Sequence, residues 1–262
     1  MQELAQLNQN GIELFGVIYP FRLRDYILDA PARSKVKCIV GHTGVYACEN
    51  CEVEGFKVNN VTVYLDMNAT LRTDESFRDR INENQHTVFS PLEPLGTGMV
   101  SQFRKDGLHL LHEGVFKRWS DFVLGNKAKK RKGLVTAARK LEVSDRIMAL
   151  ARHIPQEFNR RPRPLIYRLK FHASEYRRLF LYDGLLVFQI LPDNIYRNYL
   201  ILQAACYILS SPDFYETMND IAEDLLHQFI IHSSQLFGRQ FVFLYVHYLI
   251  HFAEECRVLQ CL

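Results

Sequence analysis

Residues Tyr26–Gly55, YILDAPARSKVKCIVGHTGVYACENCEVEG, combine three signals in one short stretch. Tyr26 to Leu28 is an apolar run of strand length, and Asp29 stands at its exit. Ala30-Pro31-Ala32-Arg33 then opens a helix, with Pro near the first helical position, where its missing N–H costs nothing. Gly41 is expected to end that helix. A cluster of Cys38, His42, Cys48 and Cys51 follows. Two readings of Asp29 stand side by side. As a helix N-cap it would accept the free N–H groups of the first turn, worth about 1 kcal/mol, and residue type alone favours this. As a carboxylate at a strand's carboxyl end, it could ligate Mg2+ or Mn2+ in phosphoryl-transfer chemistry of the two-metal kind.

Cys48-x2-Cys51 supplies two thiolates with the bite that zinc takes, and a closed tetrahedral site needs two more ligands. Cys38 and His42 offer them locally as C-x3-H. His247 and His251 offer them from the far end of the chain, one helical turn apart on one face. An isolated helical histidine is more often a hydrogen-bonded core or surface residue. The i, i+4 pairing beside an incomplete C-x2-C raises the metal reading to parity.

Composition sets the frame for these motifs. At 262 residues with 48% apolar content the chain can bury a proper core. A net charge of +3 implies no global partner. The opening MQELAQLNQNG has neither the basic nor the apolar region of a signal peptide. Leu179–Leu191 and Phe241–Phe252 are too short or too interrupted to span a bilayer. A soluble, non-secreted protein, nuclear or cytoplasmic, with zinc in preference to disulfides, is the expectation.

Along the chain, Gln2–Leu7 reads as helix, and Ile12–Tyr19 and Leu23–Leu28 as strands. Phe56–Leu65 reads as a strand or a hairpin turning at Asn59-Asn60, and Thr70–Pro94 as a short helix and an extended loop. Met99–Trp119 fits one helix, with Asp106 near its start and His109 a turn later. Asp106-x2-His109 is either a catalytic helper pair or a helix-terminal acid beside a surface histidine. Lys127, Lys129, Lys130, Arg131 and Lys132 form a solvated turn or a DNA-phosphate contact without sequence specificity. From Val135 onward the pattern is helical, over Val143–His153, Pro164–Tyr182, Gly184–Leu191, Pro192–Leu209, Asp213–Phe237 and Gln240–Val258. Glu175 reads as a solitary surface acid.

The segments DAPARSKVKCIVGHTGVYACENCEVEG, LRTDESFRDR, SPLEPL, MVSQFRKDGLHLLHEGV, IPQEFNRRPRPL, ASEYRRLFLYDG, ILSSP and VHYLIH together resemble the CACTA-related (CMC-type) cut-and-paste DNA transposases. The vertebrate recombinase of antigen-receptor genes is a distant relative of that family. The resemblance implies an RNase H-like catalytic fold interrupted by a helical insertion. It places Asp29 on the family's second metal-binding aspartate and Asp106 and His109 on a D-x2-H element beside the active site. Cys48 and Cys51 fall on its zinc cysteines, with His247 and His251 on the histidine pair that closes the zinc site. Cys38 and His42 then become local structure.

The expected organisation is an α/β start with a zinc knuckle and mainly α structure overall. Residues 1–37 would form a partial RNase H-like core, and 38–133 the knuckle, strand and loop region and D-x2-H helix. Residues 134–239 would form a helical insertion, and 240–262 a terminal helix with the histidine pair. Two of the family's three metal carboxylates find no match, since the first lies upstream and the sequence departs after Phe252. The resemblance therefore implies a transposase-derived protein, structural zinc, and no DNA cleavage by this chain alone. Mg2+ or Mn2+ would enter only with a completed site. The alternative is a zinc-stabilised nuclear module for protein or DNA contact. The partners implied are DNA, and a protein or second copy at the exposed edge of the Asp29 strand.

Overall fold

The computed structural model describes residues 2–259. With 54% helix and 9% strand the protein is mainly α, and its three sheets are each two-stranded. The chain divides into two compact units, Met1–Lys57 with Asp66–Asp106, and Val58–Leu65 with Gly107–Leu262.

In the first unit, α1 (Gln2–Asn10) is followed by β1 (Ile12–Leu14) and β2 (Val17–Tyr19). The single strand expected over Ile12–Tyr19 is a hairpin, because Phe15 and Gly16 both take positive φ and reverse the chain. After β3 (Tyr26–Leu28), α2 (Ala30–Lys37) begins at Asp29, whose Oδ1 accepts the Ala32 N–H at 2.8 Å. This helix stops earlier than the expected Gly41. Cys38 adopts the left-handed conformation (φ 56°), and its N–H donates to the carbonyls of Ser34 and Lys35, which closes the last turn.

The chain continues through β4 (Phe56–Val58) and β5 (Val61–Val63). Asn59 and Asn60 between them have φ of 48° and 63°, the conformation a two-residue hairpin loop demands. Next comes α3 (Asp74–Arg78), which starts in a reciprocal capping box between Thr73 and Ser76. SPLEPLG contains one 3-10 turn, Glu93–Leu95. Residues Phe103–Lys105, expected to be helical, form β6, parallel to β3 in the register Tyr26↔Phe103, Ile27↔Arg104, Leu28↔Lys105. The rings of Tyr26 and Phe103 stack at 4.8 Å across this pair. Beneath them Ile39, Phe77, Leu92, Met99 and Phe103 make the unit's apolar core.

The second unit is helical. A π-helix, Leu108–Phe116, leads into α4 (Lys117–Val123), so the helix expected from Met99 begins only at Leu108. Then come α5 (Ala137–Leu150), a 3-10 segment (Leu165–Lys170), α6 (Ala173–Arg178), a second π segment (Leu179–Asp183) and α7 (Gly184–Val187). The long α8 (Asp193–Ser210) and α9 (Asn219–Phe237) pack on each other. The last helical stretch is segmented into α10 (Leu244–His247), a 3-10 turn (Tyr248–His251) and α11 (Phe252–Leu259).

The single helix expected over Pro164–Tyr182 is broken at Phe171-His172. Glu175 is the reason, since its Oε2 accepts the His172 N–H at 2.9 Å and caps a new helix start. Glu175 is also not a surface acid: it is 1% exposed and held bidentately by Arg163, at 2.7 Å to each oxygen. Burial opposes its charge, and the Arg163 hydrogen bonds overcome that, holding the carboxyl below its ordinary range. Phe116, Trp119, Phe180, Phe188 and Tyr199 form an aromatic centre, with Trp119 Nε1 donating to Asn198 Oδ1 at 2.9 Å. Each such ring removed from water contributes about 1.5–3 kcal/mol.

Candidate metal centre

The loop that carries Cys48 and Cys51 is built by side chains that sequence reading did not single out. Arg72, buried, donates from Nε to the carbonyls of Cys48 (3.2 Å) and Cys51 (3.0 Å). Gln85 Nε2 donates to the Cys48 carbonyl at 2.8 Å. A bridge between Cys51 and Leu71 closes the loop. The arginine lies in LRTDESFRDR, whose charged surroundings disguise it as a surface residue. Between the two cysteines, Glu49 is buried and accepts from Arg33 Nε (2.9 Å) and Lys37 Nζ (3.0 Å) on α2. Burial by itself would raise the Glu49 carboxyl; the charges of Lys37, Arg33 and Lys105 more than offset this and hold it at about 2. Lys37 is pulled below its ordinary value by the same burial, against the attraction of Glu49. Its ammonium also lies 5.0 Å from the Phe103 ring centroid.

The cysteine sulfurs face one another at 3.4 Å. Ligands about 2.3 Å from a tetrahedral zinc stand nearly this far apart. The hydrogen bond to Cys48, followed by burial, pushes the Cys51 thiol well above its ordinary value. His247 is the last residue of α10, and His251 closes the 3-10 turn after it. Their rings are 5.5 Å apart, and Tyr64 packs on His247 at 5.9 Å. One ligand atom from each of Cys48, Cys51, His247 and His251 lies within 4.8 Å of every other, and all four residues are buried. Two sulfurs and two imidazole nitrogens at that spacing are a donor set that suits zinc. Among the described residues this is the one group of three or more such side chains close enough to share an ion. Cys38 and His42 are not in it. Cys38 serves as the α2 C-cap, and His42 is exposed.

The remaining sequence-predicted residues are placed as follows. Asp29 is half-buried and caps α2. Asp106 is half-buried and follows β6 directly, so the register Leu28↔Lys105 puts Asp29 and Asp106 one step beyond the carboxyl ends of neighbouring parallel strands. His109 lies in the first turn of the π-helix. The basic run is a turn closed by the Asn126–Arg131 bridge. Asp121 accepts from Asn126 Nδ2 (2.8 Å) and Lys129 Nζ (3.4 Å), and the Arg131 guanidinium covers the Phe122 ring at 3.6 Å. Lys127, Lys129, Lys130 and Lys132 are exposed on it. No described helix is long and apolar enough to cross a membrane. Comparison with protein-family models, curated proteins and solved structures finds no match to this chain.

Proposed function

We propose that Cys48, Cys51, His247 and His251 hold one structural zinc ion in a transposase-derived protein that does not cleave DNA by itself. The observation that carries the zinc is the buried Cys2His2 donor set, with every ligand atom within 4.8 Å of the others. The transposase origin rests on the order of motifs from Asp29 to His251, and the RNase H-like core belongs to that reading. The basic turn at Lys127–Lys132, closed by the Asn126–Arg131 bridge, offers exposed ammonium groups to a phosphate backbone and supports a residual DNA contact.

Metal analysis of the purified protein tests the zinc. One equivalent per chain is expected, with loss of most of it in His247→Ala and in Cys51→Ser. Undiminished zinc in His247→Ala would move the site back to Cys38 and His42.

The inactive reading follows from ligand count. A two-metal centre needs carboxylates on both sides of the ion pair, and of the family's three metal carboxylates the resemblance matches Asp29 alone. One observation favours the enzymatic alternative: Asp29 and Asp106 end neighbouring parallel strands, a disposition that carboxylates of phosphoryl-transfer sites adopt. In that version further ligands come from another chain. A nicking assay on supercoiled DNA with Mg2+ or Mn2+ separates the two. No product is expected; cleavage that vanishes in both Asp29→Ala and Asp106→Ala would establish the enzyme.

A further inference from the structure

The helical unit contains a cavity of about 270 Å3 between the loop after α5 and the helix α6. It is unrelated to the cysteine and histidine residues. Its wall carries three guanidinium groups, from Arg160, Arg177 and Arg178, against one carboxylate, Glu157. Such an excess of planar, multiply donating cations is the chemistry that recognises phosphate.

Arg178 is 3% exposed and fixed in place. Its Nε donates to Asp183 Oδ2 at 2.8 Å and its Nη1 to the Arg160 carbonyl at 2.6 Å. Its remaining nitrogen, Nη2, has no partner among the described residues, although the side chain lines the cavity. The opposite wall is also built: Arg161 Nη1 donates to the Ile154 carbonyl at 2.8 Å, which closes the loop that carries Phe158 and Asn159. Phe158 meets Tyr182 edge to face at 5.5 Å, so two near-perpendicular aromatic rings stand beside the guanidinium groups. At about 270 Å3 the space falls just under the ~300–1,000 Å3 of sites for drug-sized ligands.

We infer that this cavity binds a phosphate monoester that bears a single aromatic ring system, of the class of nucleoside monophosphates. Arg178 and Arg177 take the phosphate, Asn159 and Ser174 supply neutral polar contacts, and the ring packs on Phe158 and Tyr182. The bound anion would meet Nη2, the third nitrogen of a guanidinium that the protein already orients through the other two.

Calorimetric titration of the whole chain with adenosine monophosphate tests this, with adenosine and inorganic phosphate as controls. Adenosine monophosphate is expected to bind, adenosine not, and phosphate alone at least tenfold more weakly. Arg178→Gln should abolish binding but removes a buried ion pair. The exposed Arg177→Gln and Tyr182→Leu keep the test independent of folding; each should weaken binding roughly tenfold, the worth of one charge-assisted or stacking contact. No binding up to about 10 mM, equal binding of adenosine, or binding that survives both exposed substitutions would overturn the proposal. So would binding of a single-stranded oligonucleotide in the absence of any for the mononucleotide.

Discussion

Glu49 shows what a single buried side chain does in this protein. It sits between the two cysteines and neutralises Arg33 and Lys37, both buried on α2. Replacing it with Gln removes the carboxylate that both buried cations pair with, and Glu49→Gln should cost about 3–5 kcal/mol. Urea denaturation measures this, and a loss below about 1 kcal/mol would mean the cations find water or another acid. The acid response follows from the same residue and from His86. Glu49 is at about 2 when folded against 4.5 unfolded, so its contribution is complete above 4.5 and fades as pH falls toward 2. His86 is held down to about 4 from 6.5, by burial first and then by the charges of Arg80 and Arg72. Its neutral ring stabilises the fold above 6.5, and that contribution is lost as pH falls through 4. Both act in one direction, so stability should drop in two stages on acidification. An NMR titration of His86 should give a midpoint near 4; a midpoint near 6.5 would place the ring in solvent. Asp29, whatever else it does, caps α2, and Asp29→Ala should cost about 1 kcal/mol.

The π-helix Leu108–Phe116 is the element that sequence periodicity could not announce. An i→i+5 helix is rare, so a short apolar pattern of nine residues is read by default as an i→i+4 helix. Gly114 is the physical sign of the difference. A Cβ there would lie 2.5 Å from the Tyr245 ring and 2.8 Å from the His109 carbonyl. Gly114→Ala should therefore destabilise the helical unit by about 1–3 kcal/mol through overpacking. Trp119, the one tryptophan, is buried in the next helix and reports this by fluorescence in thermal unfolding. An unchanged midpoint would mean that Tyr245 can move aside at no cost. Other elements were legible because their signals are local. Asn59-Asn60 turns β4 into β5, and Asp29 with Pro31 starts α2. Where a helix ends, local signals misled: Gly41 looked like the stop, but Cys38 takes the left-handed cap three residues earlier.

At the scale of the whole molecule, the proposed zinc joins residues from opposite ends of the sequence, and its removal should be felt globally. Structural zinc sites bind with about 10–16 kcal/mol, so a chelator should lower the unfolding midpoint by several degrees or more, with recovery on adding zinc. Indifference to both treatments would leave the four side chains as an ordinary buried cluster. By itself the sequence determined the ligand types, the C-x2-C bite, the histidine spacing and the mainly helical second half, because each depends on neighbours a few residues apart. The tertiary structure decided which histidines accompany Cys48 and Cys51. It also decided that Glu175 is buried with Arg163, that Arg72 and Gln85 clamp the knuckle, and that Asp106 follows a strand parallel to that of Asp29. Those outcomes depend on contacts between residues far apart in the chain, which no local pattern of charge or hydropathy encodes.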